Sequence, residues 1–137
     1  MNNVQVLLVD DEEGFSSVLS KRLSKRKINV RIATGGEMAL QLLSTEQFHV
    51  VVLDVKMPGM NGMQVLKVIK QRYPQVEVIL LTGHADMDNA LESMTAGAFD
   101  FLLKPANTEI LIYRINDAAK AAKMKMSCRE TELARPA

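Results

Sequence analysis

At 137 residues, with 47% hydrophobic and 24% charged side chains, the chain has the length of one ordinary domain and the balance of a globular protein rather than a disordered one. A formal net charge of +1 removes the electrostatic case for nucleic acid as main partner, and no apolar run approaches the ~20 residues of a membrane span. Cys128 is the single cysteine, which excludes an internal disulfide and suits a reducing cytoplasm; in its polar surroundings it reads as a surface thiol. No basic segment precedes an apolar run near Met1, so no signal peptide is expected.

The aliphatic run Val4 to Val9 predicts a first strand, ending in Asp10-Asp11-Glu12-Glu13. Phe15 to Lys27 has helical spacing through Phe15, Val18, Leu19 and Leu23, with acids at its start and bases at its end, as the helix dipole favours. Asn29 to Ala33 alternates like a more exposed strand, and Thr34-Gly35-Gly36 turns the chain into a helix over Glu37 to Ser44, burying Met38, Leu42 and Leu43. Val50 to Leu53 shows no polar alternation, the pattern of a strand covered on both faces, and delivers a single carboxylate, Asp54. Met57-Pro58-Gly59-Met60-Asn61-Gly62 then breaks into a loop.

A third helix follows from Gly62 to Tyr73 through Val65, Leu66 and Ile69, stopped by Pro74. Val76 to Leu81 is the fourth strand, ending at Thr82-Gly83-His84, and Met87 to Ala96 the fourth helix, with Gly97 as its C-cap. Phe99 to Leu103 is the fifth strand, ending in Lys104-Pro105. Asn107 caps a last helix from Thr108 to about Met124, buried through Ile110, Leu111, Ile115 and Ala118, and a frayed tail is expected beyond Lys125. Strand and helix alternate five times without a repeat or a second composition regime. This predicts one α/β domain with a mainly parallel sheet, helices on both faces and right-handed crossovers.

Four of these five strands end on a polar group: Asp10-Asp11, Asp54, Thr82 and Lys104. In a parallel sheet such ends share one edge, where open α/β sheets keep their chemistry. One Asp after a strand is usually a turn or cap residue, but the joint pattern points to a shared site. Two carboxylates ~4 Å apart repel by ~4 kcal/mol at an effective dielectric near 20, so three of them need a cation or a shifted proton. Mg²⁺ suits such a set, being a hard ion that takes a few carboxylates and keeps waters for an incoming phosphate. Lys104 adds a mobile positive charge and Thr82 a hydroxyl donor. Together these groups make an acceptor site for phosphoryl transfer, where catalysis is mostly positioning and charge neutralisation.

Asp10-Asp11, Asp54 with Met57-Pro58-Gly59-Met60-Asn61-Gly62, Thr82-Gly83-His84, and Gly97-Ala98-Phe99-Asp100-Phe101 with Lys104-Pro105 closely resemble the receiver domain of two-component response regulators. The resemblance runs from about Val4 to Lys120, and the run Lys56 to Met60 with the segment Leu81 to Lys104 looks like the nitrogen-regulation type. It implies a flavodoxin/CheY-like (βα)5 doubly wound fold with sheet order 2-1-3-4-5, over residues 1–122, with 123–137 as a tail or linker start. It also implies that Asp54 accepts a phosphoryl group from a sensor histidine kinase's phosphohistidine. Mg²⁺ would be held by Asp11, Asp54 and the backbone carbonyl of Lys56, with Asp10 acting through water. Thr82 and Lys104 would contact the phosphoryl oxygens and Phe101 would be the aromatic switch, a role it can share with plain core packing. Lys56 and His84 stand where the family tunes dephosphorylation, and neither is an acid or carboxamide that would position water. A cis Lys104-Pro105 bond is implied as well.

The implied role is that of a cytoplasmic signalling module, not an enzyme acting on other molecules. Its expected partners are the kinase or a phosphotransfer protein, and an effector or output domain reached through the fourth helix, fifth strand and fifth helix. Neither nucleic acid nor membrane is expected as a direct partner. Dimerisation through that surface stays open: Asp100 and Arg114 match one ion pair of the winged-helix regulators' dimer face, while Ala90 and Ile110 stand where those have a Lys-Glu pair. Two rival readings remain. A haloacid-dehalogenase-like phosphatase needs a second acid two residues after the nucleophile, where this chain has Lys56, and gives Asp10-Asp11 no place. A receiver-like module that binds without phosphorylation would not need all five site residues. His84 reads as a loop histidine beside the site, and the bases from Lys21 to Lys27 as a solvated helix end.

Overall fold

The computed structural model describes residues 3–55, 59–83 and 87–134, the side chains of 87–90 and 129–134 excepted. Its elements alternate as β1 (Val4–Val9), α1 (Glu13–Lys25), β2 (Ile28–Ala33), α2 (Gly36–Thr45), β3 (Val50–Asp54), α3 (Gly62–Arg72), β4 (Glu77–Thr82), α4 (Met87–Thr95), β5 (Asp100–Leu103) and α5 (Thr108–Ala134). The strands form one parallel sheet in the order β2-β1-β3-β4-β5.

Side-chain alternation divides the core into two layers. Leu7, Val9, Val51, Leu53, Val78 and Leu80 face α2 and α3 and join Leu43, Val65, Leu66 and Ile69. Val6, Leu8, Val50, Val52, Ile79 and Leu81 face the other way, onto Leu19 and Leu23 of α1 and Leu111, Ile115 and Ala118 of α5. Both faces are therefore covered along most of β1, β3 and β4, which is why residues 6–9, 50–53 and 78–81 are unbroken apolar runs. At the sheet's edges β2 alternates between buried and exposed residues, and β5 is half-buried throughout rather than a buried strand.

Three expectations about the helices are corrected. Met38 is 41% exposed; α2 turns Gly36, Ala39 and Leu43 inward instead, because it lies so close to α3 that a Cβ at Gly36 would stand 2.6 Å from Val65 Cγ2. Small residues make that approach, and hydrophobic periodicity gives them little weight. Val18 and Ile110 are likewise half-exposed, with Ser16, Leu19 and Leu23 forming the inner stripe of α1 and Leu111, Ile112 and Ile115 that of α5.

The third correction concerns the tail. No fray begins at Lys125; α5 continues to Ala134. The sequence holds no Gly or Pro between Asn107 and Pro136, and Ala121 to Met126 are good helix formers. Tertiary contacts hold the extension: Lys125 Nζ lies 2.6 Å from Oε1 of buried Glu77, and Met126 packs against the α2/α3 core, its sulfur accepting from Gln47. Glu77 also pairs with Lys70, whose ammonium donates to the carbonyls of Pro74 and Val76 at 3.1 and 3.0 Å.

Helix ends follow local chemistry. Asn61 and Gln64 form a reciprocal capping box at the start of α3, and Asn107 Oδ1 accepts from Glu109 N at 2.9 Å at the start of α5. Gly97 ends α4 with φ +103°.

His49, entering β3, accepts a hydrogen bond at Nδ1 from Gln5 N at 3.0 Å, and burial together with the nearby Lys123 pushes its proton affinity below the ordinary histidine value. The unfolded chain therefore binds this proton more tightly. The contribution of His49 is intact above the usual pKa near 6.5 and is lost as pH falls through the lower folded value. We expect the melting temperature of the wild type to fall between pH 7.5 and 5 by more than that of His49→Gln, measured by circular dichroism in matched buffers.

Candidate functional site

Parallel pairing brings four strand ends to one edge. The register sets Val9 beside Leu53, Asp54 beside Leu81 and Thr82 beside Leu103. Asp10, Asp54, Thr82 and Lys104 are thus at or just past the ends of adjacent strands. Backbone bonds fix them there: Asp10 N donates to Ala33 O (3.0 Å), Val55 N to Leu81 O (3.1 Å) and Lys104 N to Thr82 O (2.7 Å). The loop after Asp54 closes onto the strand through Gly62 N to Val55 O at 3.0 Å. A Cβ at Gly62 would meet Asp54 O at 2.6 Å, so only glycine lets α3 begin this close to the carboxylate's backbone.

The side chains converge. Lys104 Nζ donates to Asp54 Oδ2 at 2.9 Å and stands 3.5 Å from Asp10 Oδ2. Asp10 and Asp54 are buried, at 1% and 6% exposure, while Asp11 faces solvent. Asp10, Asp11 and Asp54 each present a carboxylate oxygen within 4.8 Å of the others. Among the described residues, three carboxylates face the one Lys104 ammonium. Burial holds the Asp10 carboxyl above the usual range, although the Glu12 amide and Lys104 pull it down. Burial would also strip the proton from Lys104, but the hydrogen bond and charge of Asp54, then Asp10 and Glu12, outweigh it and the ammonium is held more firmly than usual.

This donor set fits a small divalent cation. Asp10 Oδ1 accepts from Glu12 N at 2.9 Å, but Oδ2 is buried without a hydrogen-bond partner despite the nearby ammonium. A buried, unsatisfied carboxylate oxygen beside two further carboxylates is what a hard, oxygen-seeking ion compensates.

Thr82 is 1% exposed and its hydroxyl donates to Gly83 O at 3.3 Å. By alternation along β4 it continues the row of Val78 and Leu80, the face against which Phe101 packs, partly buried. Lys104-Pro105 is cis. Asp100 and Arg114 pair within the chain, 3.2 Å apart. Lys56 and His84 lie outside the described residues. Sequence reasoning missed two contributors. The ring of Phe15 lies 5.3 Å from Lys104 Nζ as a cation–π floor, and helical spacing marked it only as a core residue. The close approach at Gly62 has no sequence mark beyond a glycine after a loop.

The fold, the edge and its acids together define a doubly wound α/β domain with an acidic cluster and a lysine at the carboxyl ends of its strands. Residues 6–116 match the response regulator receiver domain, and the chain belongs to that family. A putative NtrX-like response regulator from Rickettsia conorii is 33% identical over 127 residues, covering 91% of this chain and 27% of that protein. The DNA-binding transcriptional regulator NtrC of Klebsiella pneumoniae is 35% identical over 111 residues, 81% of this chain and 24% of that one. Among solved structures, the receiver domain of NtrX from Brucella abortus superposes with a TM-score of 0.80 at 28% identity, over 84% of this chain and 98% of that chain. The likeness is to receivers of the nitrogen-regulation type, and the chain spans about a quarter of the curated relatives' length.

Proposed function

We propose that Asp54 is the phosphoacceptor: one of its oxygens attacks the phosphorus of a phosphohistidine on a sensor kinase or phosphotransfer protein, and the P–N bond breaks. The observation that carries this reading is the buried Asp54 carboxylate hydrogen-bonded to Lys104 beside Asp10 and Asp11. Asp10, Asp11, Asp54 and the Lys56 carbonyl would hold Mg²⁺, Asp10 through water; the ion, when bound, neutralises charge on the transferred group. Lys104 exchanges its bond to Asp54 for one to a phosphoryl oxygen, and its raised proton affinity keeps it charged. Thr82, on the face shared with Phe101, donates its hydroxyl to another oxygen. The gain of roughly two negative charges shifts the balance between two arrangements of the Thr82–Phe101 row.

The shift is read on α4, β5 and α5, where Leu91, Met94, Ile110 and Tyr113 expose apolar surface. An effector or output domain would dock there, in a cytoplasmic pathway, with residues 1–122 as the receiver and 123–137 as a tail or the start of a linker. The pairing of Asp100 with Arg114 inside the chain competes with their use across a dimer.

Incubation with acetyl phosphate and Mg²⁺, followed by intact-mass spectrometry, tests the reading. One phosphoryl mass is expected with Mg²⁺ and none with chelator; a metal-independent gain would remove the proposed role of the acids. Lys56 and His84 offer no carboxamide or acid to orient attacking water. Lys56→Asn is therefore expected to shorten the phosphoryl lifetime, as followed by the decay of the phosphorylated mass. Equal decay in both proteins would remove Lys56 from that role.

A further inference from the structure

At the opposite end of the sheet, a groove of about 520 Å³ lies between the α1–β2 turn and the middle of α5. Four cationic side chains line it: Arg26 and Lys27 from the turn, Lys120 and Lys123 from α5. Among the described residues, no carboxylate belongs to its lining. Sequence places these pairs more than ninety residues apart, and only the packing of α1 beside α5 brings them together.

Arg26 already shares its guanidinium with Glu109. Among the described residues, no carboxylate lies within ion-pair distance of Lys27, Lys120 or Lys123. The floor is apolar, with Val4, Ile28 and Ala119 each no more than 4% exposed, so the field of the rim is less screened than over open solvent. The field reaches inward: Lys123 is one cause of the depressed proton affinity of His49. Asn3 and Asn116 add amide donors to the same walls.

We propose that this groove binds a compact polyanion of the phosphate class, carrying at least two linked phosphoryl groups. Its volume is within the range of small-ligand sites, at roughly 300–1,000 Å³. Cations on facing walls require charge at both ends of the ligand, which a single-headed anion does not supply. Lysine ammonium and arginine forks both suit phosphoryl oxygens. An extended polyanion is disfavoured by the net charge of +1.

The probe is inorganic pyrophosphate, titrated calorimetrically into the whole chain at physiological salt without Mg²⁺, so that the acidic site does not contribute. The expected result is saturable binding that weakens at least tenfold in Lys120→Glu/Lys123→Glu. It should persist in Lys21→Glu/Lys67→Glu, which makes the same charge change at exposed positions outside the groove. Circular dichroism melts confirm that both variants fold. Absence of binding at millimolar pyrophosphate overturns the proposal, as does equal loss in both double variants, which would mean bulk charge alone. Tighter retention on duplex DNA or on phosphatidylserine vesicles than on pyrophosphate also overturns it, since the patch would then be a macromolecular surface.

Discussion

Asp54→Asn is expected to remain folded and to gain no phosphoryl mass from acetyl phosphate and Mg²⁺. Asparagine keeps the shape at the end of β3 but has no anionic oxygen to attack phosphorus. Its stability should stay close to wild type because two opposing effects accompany the change. The 2.9 Å bond from Lys104 loses its charge assistance, while the repulsion among Asp10, Asp11 and Asp54 is relieved. At an effective dielectric near 20 each such carboxylate pair at ~4 Å costs about 4 kcal/mol before counter-charges are included, comparable to what the ion pair returns. A matched melt in chelator and the intact mass read both outcomes. Retention of one phosphoryl group in Asp54→Asn would transfer the acceptor role elsewhere, whereas loss in Asp11→Asn as well would locate the metal dependence beside it.

Lys104→Met carries the second large effect. The substitution keeps the aliphatic stem over Phe15 and removes the ammonium that lies 3.5 Å from Asp10 Oδ2 and 2.9 Å from Asp54 Oδ2. A preorganised cation aimed at developing charge is worth about 10²–10³ in rate when removed, so phosphorylation should slow by about a hundredfold. Without it, the buried Asp10 and Asp54 lose their shared ammonium, at a cost of about 1–3 kcal/mol. In chelator that should appear as a melting point several degrees lower, at roughly 3–6 °C per kcal/mol for a chain of this size. Mg²⁺ should restore more stability to Lys104→Met than to wild type, since the ion then has the whole carboxylate charge to itself. An unchanged rate with an unchanged melt would mean that the Lys104 contact is incidental.

Lys125 and Met126 hold the helix to the end of the sheet opposite Asp54, so α5 runs from the exposed face with Ile110 and Tyr113 to a second anchor. Lys70, half-buried and with its proton affinity lowered by that burial, owes its charge there to Glu77 and two carbonyls.

The strands, their order along the chain and the residues that end them were written in local chemistry. Short unbroken aliphatic runs bounded by turn residues read as strands covered on both faces, and the polar residue that ends each lies at the edge of the sheet. Asp10, Asp11, Asp54, Thr82 and Lys104 were legible for that reason, since strand ends of a parallel sheet share an edge by geometry alone. Caps such as Asn61 and Asn107 were equally local, because they satisfy amides two or three residues away.

What only the tertiary structure decided were properties that depend on distance between segments remote in sequence. Met38 lost its place in the core to Gly36 and Ala39 because helices α2 and α3 approach more closely than a large side chain allows. The continuation of α5 past Lys125 depended on Glu77 and Gln47, some fifty and eighty residues earlier. The cation–π floor under Lys104 and the basic groove between α1 and α5 likewise join side chains whose pairing no periodicity records. Periodicity reports which face of an element is dry, and packing alone settles which neighbour dries it.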